Sequence, residues 1–270
     1  MEVWSGNQRV ENTITVPGLD AWIYSEPHKG DEAGGDIHYV SMCGAGKISR
    51  FAIADVSGHG AIVGEIAARL RKLMRKHINK LDQSRFARAL NEEFGALAEE
   101  GHFATALLTT YFAPTDHLVI CNAGHPRPLW YRNETDTWEL VDRHSPQRAQ
   151  RVGNLPLGVI GNTDYTQFAI KLGKGDLILI YTDSLIESFD ENGEPLGEQG
   201  LLQLARDLPQ HDPPKITSAL LDAVKAHGGG KPAADDQTLL VLYHNASNPP
   251  RQSLTEKMRV VAKMLGLAGA

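Results

Sequence analysis

Ser49-Arg50-Phe51-Ala52-Ile53-Ala54-Asp55-Val56-Ser57-Gly58-His59-Gly60 changes its hydrophobic period at a single aspartate. Before Asp55, Phe51 and Ile53 alternate with small residues, as in a strand packed on at least one face. After the glycines, Ile62, Ile66, Leu70, Leu73 and His77 recur at helical spacing, with Arg and Lys between them. Upstream, residues 36–43 read as a second strand, and Gly44-Ala45-Gly46-Lys47 closes the two into a hairpin. Downstream a second helix is expected to begin at Ser84, with Phe86, Leu90, Phe94 and Leu97 as its apolar face.

Outward from this unit the pattern is mostly β. Strands are expected over 12–16 and 20–24 around Pro17-Gly18, then over 104–112, 117–122, 128–131 and 137–141. Residues 143–161 are polar and rich in Gly and Pro, which predicts a loop. Strands return over 167–172 and 176–182. In the latter, Leu177-Ile178-Leu179-Ile180 is a continuous apolar run, as in a strand buried on both faces. Helices are expected over 200–207 and 214–227, the second stopped by Gly228-Gly229-Gly230. A strand over 238–243 follows. Beyond Pro249-Pro250, Leu254, Met258, Val261 and Leu265 make an amphipathic helix over 253–267, placed either to pack on the domain or to form a homodimer. Antiparallel strands with helices inserted in pairs, and no strict β-α-β alternation, predict an α+β layered domain.

The 270 residues allow one large domain or two small ones, and 41% hydrophobic content can fill a sizeable core. A net charge of −6 disfavours nucleic acid, whose phosphates select basic faces. The basic cluster Arg69, Arg71, Lys72, Arg75, Lys76 and His77 reads as the solvated face of a helix. No apolar stretch approaches the roughly 18–20 residues of a membrane helix, and none near the N-terminus has signal-peptide form. The two cysteines, Cys43 and Cys121, sit in apolar runs and read as buried thiols, which points to the cytoplasm.

Four hydrophobic runs end or begin at aspartates: Gly34-Gly35-Asp36, Asp55-Val56-Ser57-Gly58, Tyr181-Thr182-Asp183 and Asp235-Asp236-Gln237-Thr238. Singly, each aspartate is an ordinary turn or helix-cap residue. Together, carboxylates on strand ends that share one sheet edge are what a hard cation such as Mg²⁺ or Mn²⁺ requires.

The ordered set of these stretches with Phe103-Ala104-Thr105-Ala106, Asn122-Ala123-Gly124-His125-Pro126, Leu155-Pro156-Leu157-Gly158 and the run 175–183 resembles the SpoIIE/RsbU branch of the PPM metal-dependent protein serine/threonine phosphatases. The resemblance covers residues 20–245. It leaves 1–19 as a short N-terminal segment and 246–270 as a linker and terminal helix. It implies a four-layer α-β-β-α sandwich of two antiparallel sheets flanked by helices, with two metal ions at one end. It also implies that Asp55 bridges the ions, that the Val56 carbonyl binds one, and that Asp36, Asp183 and Asp235 complete the set, Asp235 being favoured over Asp236.

The implied reaction is hydrolysis of phosphoserine or phosphothreonine on a signalling protein, such as a STAS-type anti-anti-sigma factor in bacterial partner switching. Two cations would neutralise the phosphate dianion, align it and lower the pKa of water. His59 is the candidate acid for the leaving oxygen, or else a helix-start residue whose ring packs locally. Two positions depart from the family pattern. Tyr39 stands where a further aspartate is usual, and Ser184 stands where glycine is usual, so its Cβ would strain the turn if φ were positive. Both motivate an alternative, a phosphatase-fold binding module with impaired turnover. A phosphatase of small metabolites is a third reading.

Overall fold

The computed structural model describes residues 2–43, 46–58, 60–97, 101–142, 153–208 and 212–247, together with Thr255 and Met258. The strand-to-helix unit forms as its sequence dictates. Strand β4 (Asp36–Met42) pairs antiparallel with β5 (Ile48–Val56), and helix α1 (Ala61–His77) follows. Before them run β1 (Glu2–Gly6), β2 (Val10–Val16) and β3 (Leu19–Glu26). After them come α2 (Gln83–Leu97), β6 (Ala104–Phe112), β7 (His117–Ala123), β8 (Leu129–Arg132), β9 (Thr137–Leu140), β10 (Gln167–Lys171), β11 (Leu177–Tyr181), α3 (Gly197–Asp207), α4 (Pro213–His227) and β12 (Gln237–His244).

The strands make two six-stranded antiparallel sheets, ordered β1-β4-β5-β6-β7-β10 and β2-β3-β12-β11-β8-β9. Alternation along each strand sorts side chains into three cores. Ile37, Tyr39, Ala54 and Val56 face α1 and α2, whereas Val40, Phe51 and Ile53 face the other sheet, meeting Ile178, Ile180, Leu240 and Leu242. The far sides of β11 and β12 present Leu177, Leu179, Leu239 and Val241 to α3 and α4. Every residue of β11 is buried, as its continuous apolar run requires. The result is the expected four-layer α-β-β-α sandwich.

Several elements differ from the sequence reading. Strand β1, an edge paired with β4, is absent from the sequence reading, whereas the strand expected over 12–16 forms as β2, the edge paired with β3. Strand β1 escapes a local reading because its hydrogen-bond partners lie more than 30 residues away. Helix α2 opens one residue earlier than Ser84, and Asp82 provides the cap by accepting the Arg85 N–H at 3.1 Å. The buried face of α1 is Val63, Ile66, Ala67, Leu70 and Met74, whereas Ile62 is 69% exposed. The apolar stripe is therefore rotated from the one that begins at Ile62. Arg69, Lys72, Arg75 and Lys76 are exposed, and Lys76 pairs with Glu93 at 2.8 Å. Cys121 is buried, Cys43 is half-buried, and both are free thiols. Of the terminal helix, only Thr255 and Met258 fall within the described residues, and both are helical. No helix among the described residues is long and apolar enough to cross a membrane.

Candidate metal centre

Antiparallel pairing puts the start of β4 beside the end of β5, and the end of β11 beside the start of β12. Asp36 is the first residue of β4 and sits directly opposite Asp55 in the register. Both belong to the face of the sheet that looks across the sandwich. From the other sheet, Asp183 lies two residues beyond β11 and Asp235 two residues before β12. The two sheets are tied at this end. The Thr182 hydroxyl donates to Asp36 Oδ2 at 2.9 Å and accepts the Thr238 N–H at 3.0 Å. Asp236 crosses in the other direction, accepting the Gly35 N–H at 2.5 Å.

Four carboxylates so placed repel one another. Burial pushes Asp55 up to about 9, and the charges of Asp36, Asp183, Asp235 and Asp236 push the same way. Asp36, 3% exposed, is held well above the usual carboxylate range by burial, against the hydroxyls of Thr238 and Thr182. Asp183 is raised by burial and by Asp235, although Ser184 N–H and the Asp55 carboxyl hydrogen-bond it. Glu187, on the rim, is raised by partial burial and by Asp183 and Asp235. Sequence reading did not single out Glu187.

The donor set fits a hard divalent cation. It is all oxygen, and the charges need compensation. A Cβ on Gly35 would lie 2.8 Å from the Val56 carbonyl oxygen, so glycine keeps the space at that oxygen open. Among the described residues, no three His, Cys, Asp or Glu side chains converge on one point. Asp36 is the register partner of Asp55, the Asp55 carboxyl hydrogen-bonds Asp183, and the charge of Asp235 acts on Asp183. That arrangement suits Mg²⁺-like ions, which keep several waters and take one or two carboxylates each.

Of the sequence-predicted residues, Asp36, Asp183 and Asp235 lie near enough to Asp55 for their charges to raise it, and Val56 follows Asp55 at the end of β5. His59 lies outside the described residues. Asp236 faces the backbone of Gly35 and His28, which separates it from Asp235. His125 closes a turn by exchanging backbone hydrogen bonds with the Asn122 side-chain amide, and its ring turns inward to Thr105 Oγ1 at 2.8 Å. Burial pushes its pKa down to about 3, so it is neutral. Thr105 is the register partner of Asp55 on β6. No sequence signal marked Thr182, Thr238 or Thr105 as supports, because a threonine at a strand end is ordinary β composition.

Of the two departures, one falls where the backbone is free of strain, at Ser184, and the other inside the core, at Tyr39. Ser184 lies in a 3-10 turn, Asp183–Leu185, and is not among the residues with positive φ. Tyr39 is 1% exposed inside the core against α1 and α2, so that position points away from the aspartates.

A family model described as Stage II sporulation protein E (SpoIIE) matches residues 46–245. The phosphoserine phosphatase RsbU of Bacillus subtilis is 26% identical over 147 residues, which is 53% of this chain and 40% of that longer protein. A structure of RsbU and RsbW domains from Mycobacterium tuberculosis superposes with a TM-score of 0.74 at 24% identity, covering 96% of this chain and 72% of the other. The PP2C phosphatase domain of SpoIIE from Bacillus subtilis, with a fragment of its regulatory domain, gives 0.67 at 18% identity over 87% of this chain and 64% of that one. RsbX in complex with magnesium gives 0.61 at 15% identity over 86% and 98%. The structural likenesses carry the fold, the family model matches about three quarters of the chain, and on both grounds the chain belongs to the SpoIIE family of PPM-type phosphatases.

Proposed function

We propose that this chain hydrolyses phosphoserine or phosphothreonine on a signalling protein, with two Mn²⁺ or Mg²⁺ ions, and that its substrate is a STAS-type anti-anti-sigma factor of a bacterial partner-switching pathway. The observation that carries the reading is the meeting of Asp36 and Asp55 from one sheet with Asp183 and Asp235 from the other at one end of the sandwich. When bound, the ions supply Lewis acidity toward phosphate and a water acidic enough to ionise near neutral pH. In this reading Asp36, Asp55, Asp183, Asp235 and the Val56 carbonyl are the groups that would hold the ions. Thr182 and Thr238 fix the Asp36 carboxylate so that it need not reorganise during the reaction. His59 is retained as the candidate acid.

A protein substrate is favoured over a metabolite by the family model the chain matches and by the relative RsbU, named a phosphoserine phosphatase. Against the impaired-module reading, Ser184 has no positive φ and Tyr39 packs in the core against α1 and α2. The free thiols agree with a cytoplasmic location. The test is a comparison, after chelation and Mn²⁺ restoration, of a phosphorylated STAS domain, a phosphoserine peptide and small sugar phosphates. Mn²⁺-dependent release from the STAS domain well above the others is expected. Preference for the sugar phosphates, or release insensitive to chelation, overturns it.

A further inference from the structure

Every backbone polar group of Gly34 and Gly35 has a partner, and the partners come from three separate parts of the chain. Gly34 N–H donates to the Asn7 carbonyl at 2.8 Å, and Gly34 C=O accepts the Asn7 side-chain amide at 3.1 Å. The same amide reaches Gly64 C=O, on α1, at 3.1 Å. Gly35 C=O accepts the Val56 N–H at 3.3 Å, and Gly35 N–H donates to Asp236 Oδ2 at 2.5 Å. Asp236 Oδ2 also receives the Asp36 N–H at 3.4 Å, while Oδ1 receives the His28 N–H at 2.6 Å. Asn7 and Asp236 are both buried, at 4% and 6% exposure. A Cβ on Gly34 would collide with the Asp236 carboxylate, so the turn and the carboxylate are fitted to each other.

We infer that Asp236 is a positioning residue rather than a metal ligand. With Asn7 as the opposite jaw, it clamps the Gly34–Asp36 turn so that Asp36 faces Asp55 before a cation arrives. Both Asp236 oxygens are engaged with backbone N–H groups, whereas among the described residues the neighbouring Asp235 accepts only the Asp236 N–H, at 2.8 Å, and lies near enough to Asp55 and Asp183 for its charge to raise both. Partners of this kind, which orient ligands without binding the metal, typically change affinity by about 10–100-fold when removed. The role of the clamp in cation affinity rests on the metal-dependent reading above, but the clamp itself does not.

The test uses the full chain and two readouts. Amide hydrogen exchange at Gly35 and His28 is measured on the metal-free protein, and Mn²⁺ binding is measured by calorimetry. D236N turns one of the two acceptor oxygens into an NH₂ group, so exchange should accelerate at Gly35 or at His28, whichever loses its acceptor. Mn²⁺ affinity should fall about ten-fold, recoverable with excess Mn²⁺. D235N should leave those amides protected while removing Mn²⁺ binding that excess metal does not recover. N7A, which opens the other jaw, should also weaken Mn²⁺ and carries the test if D236N fails to fold. Wild-type exchange in D236N, or unchanged Mn²⁺ affinity in both D236N and N7A, overturns the clamp. Equal and unrecoverable loss of Mn²⁺ in D236N and D235N makes Asp236 a ligand and also overturns it. A wild-type chain that binds no Mn²⁺ overturns the proposed function instead, and the exchange readout alone then decides the clamp.

Discussion

Ser184 follows Asp183 where the family pattern carries glycine, and its backbone adopts a conformation open to any L-residue. Ser184→Gly should therefore leave turnover within about two-fold and cost at most ~1 kcal/mol through backbone entropy. A large gain in turnover would revive the impaired-module reading. Thr182 carries more weight. Thr182→Val keeps the shape but leaves Asp36 without one donor and the Thr238 N–H without its acceptor, both buried. A loss of ~1–3 kcal/mol is expected from chemical denaturation, along with weaker Mn²⁺ binding. What made the aspartates legible in sequence was their position at strand ends, with glycines close by at Asp36 and Asp55. Asp236 and Asp176 show why the same signal overreaches. Asp176 also sits at a strand end after glycine, yet its oxygens accept N–H groups from Trp130, Asn133 and Gly173 and serve the fold alone.

At the scale of elements, the hairpin β4–β5 and the run into α1 were readable because period 2 gives way to period 3.6 within a few residues. β11 was readable because burial on both faces demands an unbroken apolar run. What escaped depended on partners distant in sequence. Strand β1 exists because β4 offers it an edge, and the tilt of α1 follows the sheet beneath it rather than its own strongest stripe, which leaves Ile62 in solvent. Ile62→Ser should accordingly change stability by less than ~0.5 kcal/mol, whereas Leu70→Ala, fully buried under the same helix, should cost ~2–5 kcal/mol. Comparable losses from the two would place the helix face wrongly. The residues that unite the site, Thr182 with Asp36 and Asp236 with Gly35, are 146 and 201 positions apart, beyond any local pattern.

For the whole molecule, the repelling carboxylates make stability depend on pH and on cation. Asp55 titrates near 9 in the metal-free native state, and Asp36 and Asp183 are raised as well, against about 3.9 in an unfolded chain. Between roughly pH 4 and pH 9 the native state holds more protons than the unfolded one, so metal-free stability falls as pH rises through that window. A bound cation removes the penalty. The rise in melting temperature caused by Mn²⁺ should thus be larger at pH 8 than at pH 6, and Asp55→Asn should raise the metal-free melting temperature at pH 8 by a few degrees, ~1 kcal/mol in a domain of this size. Buried His125 and His38, held down to about 3 and about 4 by burial, act in the opposite sense. They stay neutral in the native state and charge on unfolding, so stability is lost as pH falls below about 6.5. A Mn²⁺ effect independent of pH would contradict the electrostatic picture.

The central claim is that aspartates from both sheets form one split cation site that hydrolyses phosphoserine, with Asp55 at its middle. Turnover of a phosphoserine protein by Asp55→Asn, after metal stripping and restoration of Mn²⁺, tests it most directly. The account predicts a fall of at least about 100-fold with the fold intact. Turnover within a few-fold of wild type would contradict it.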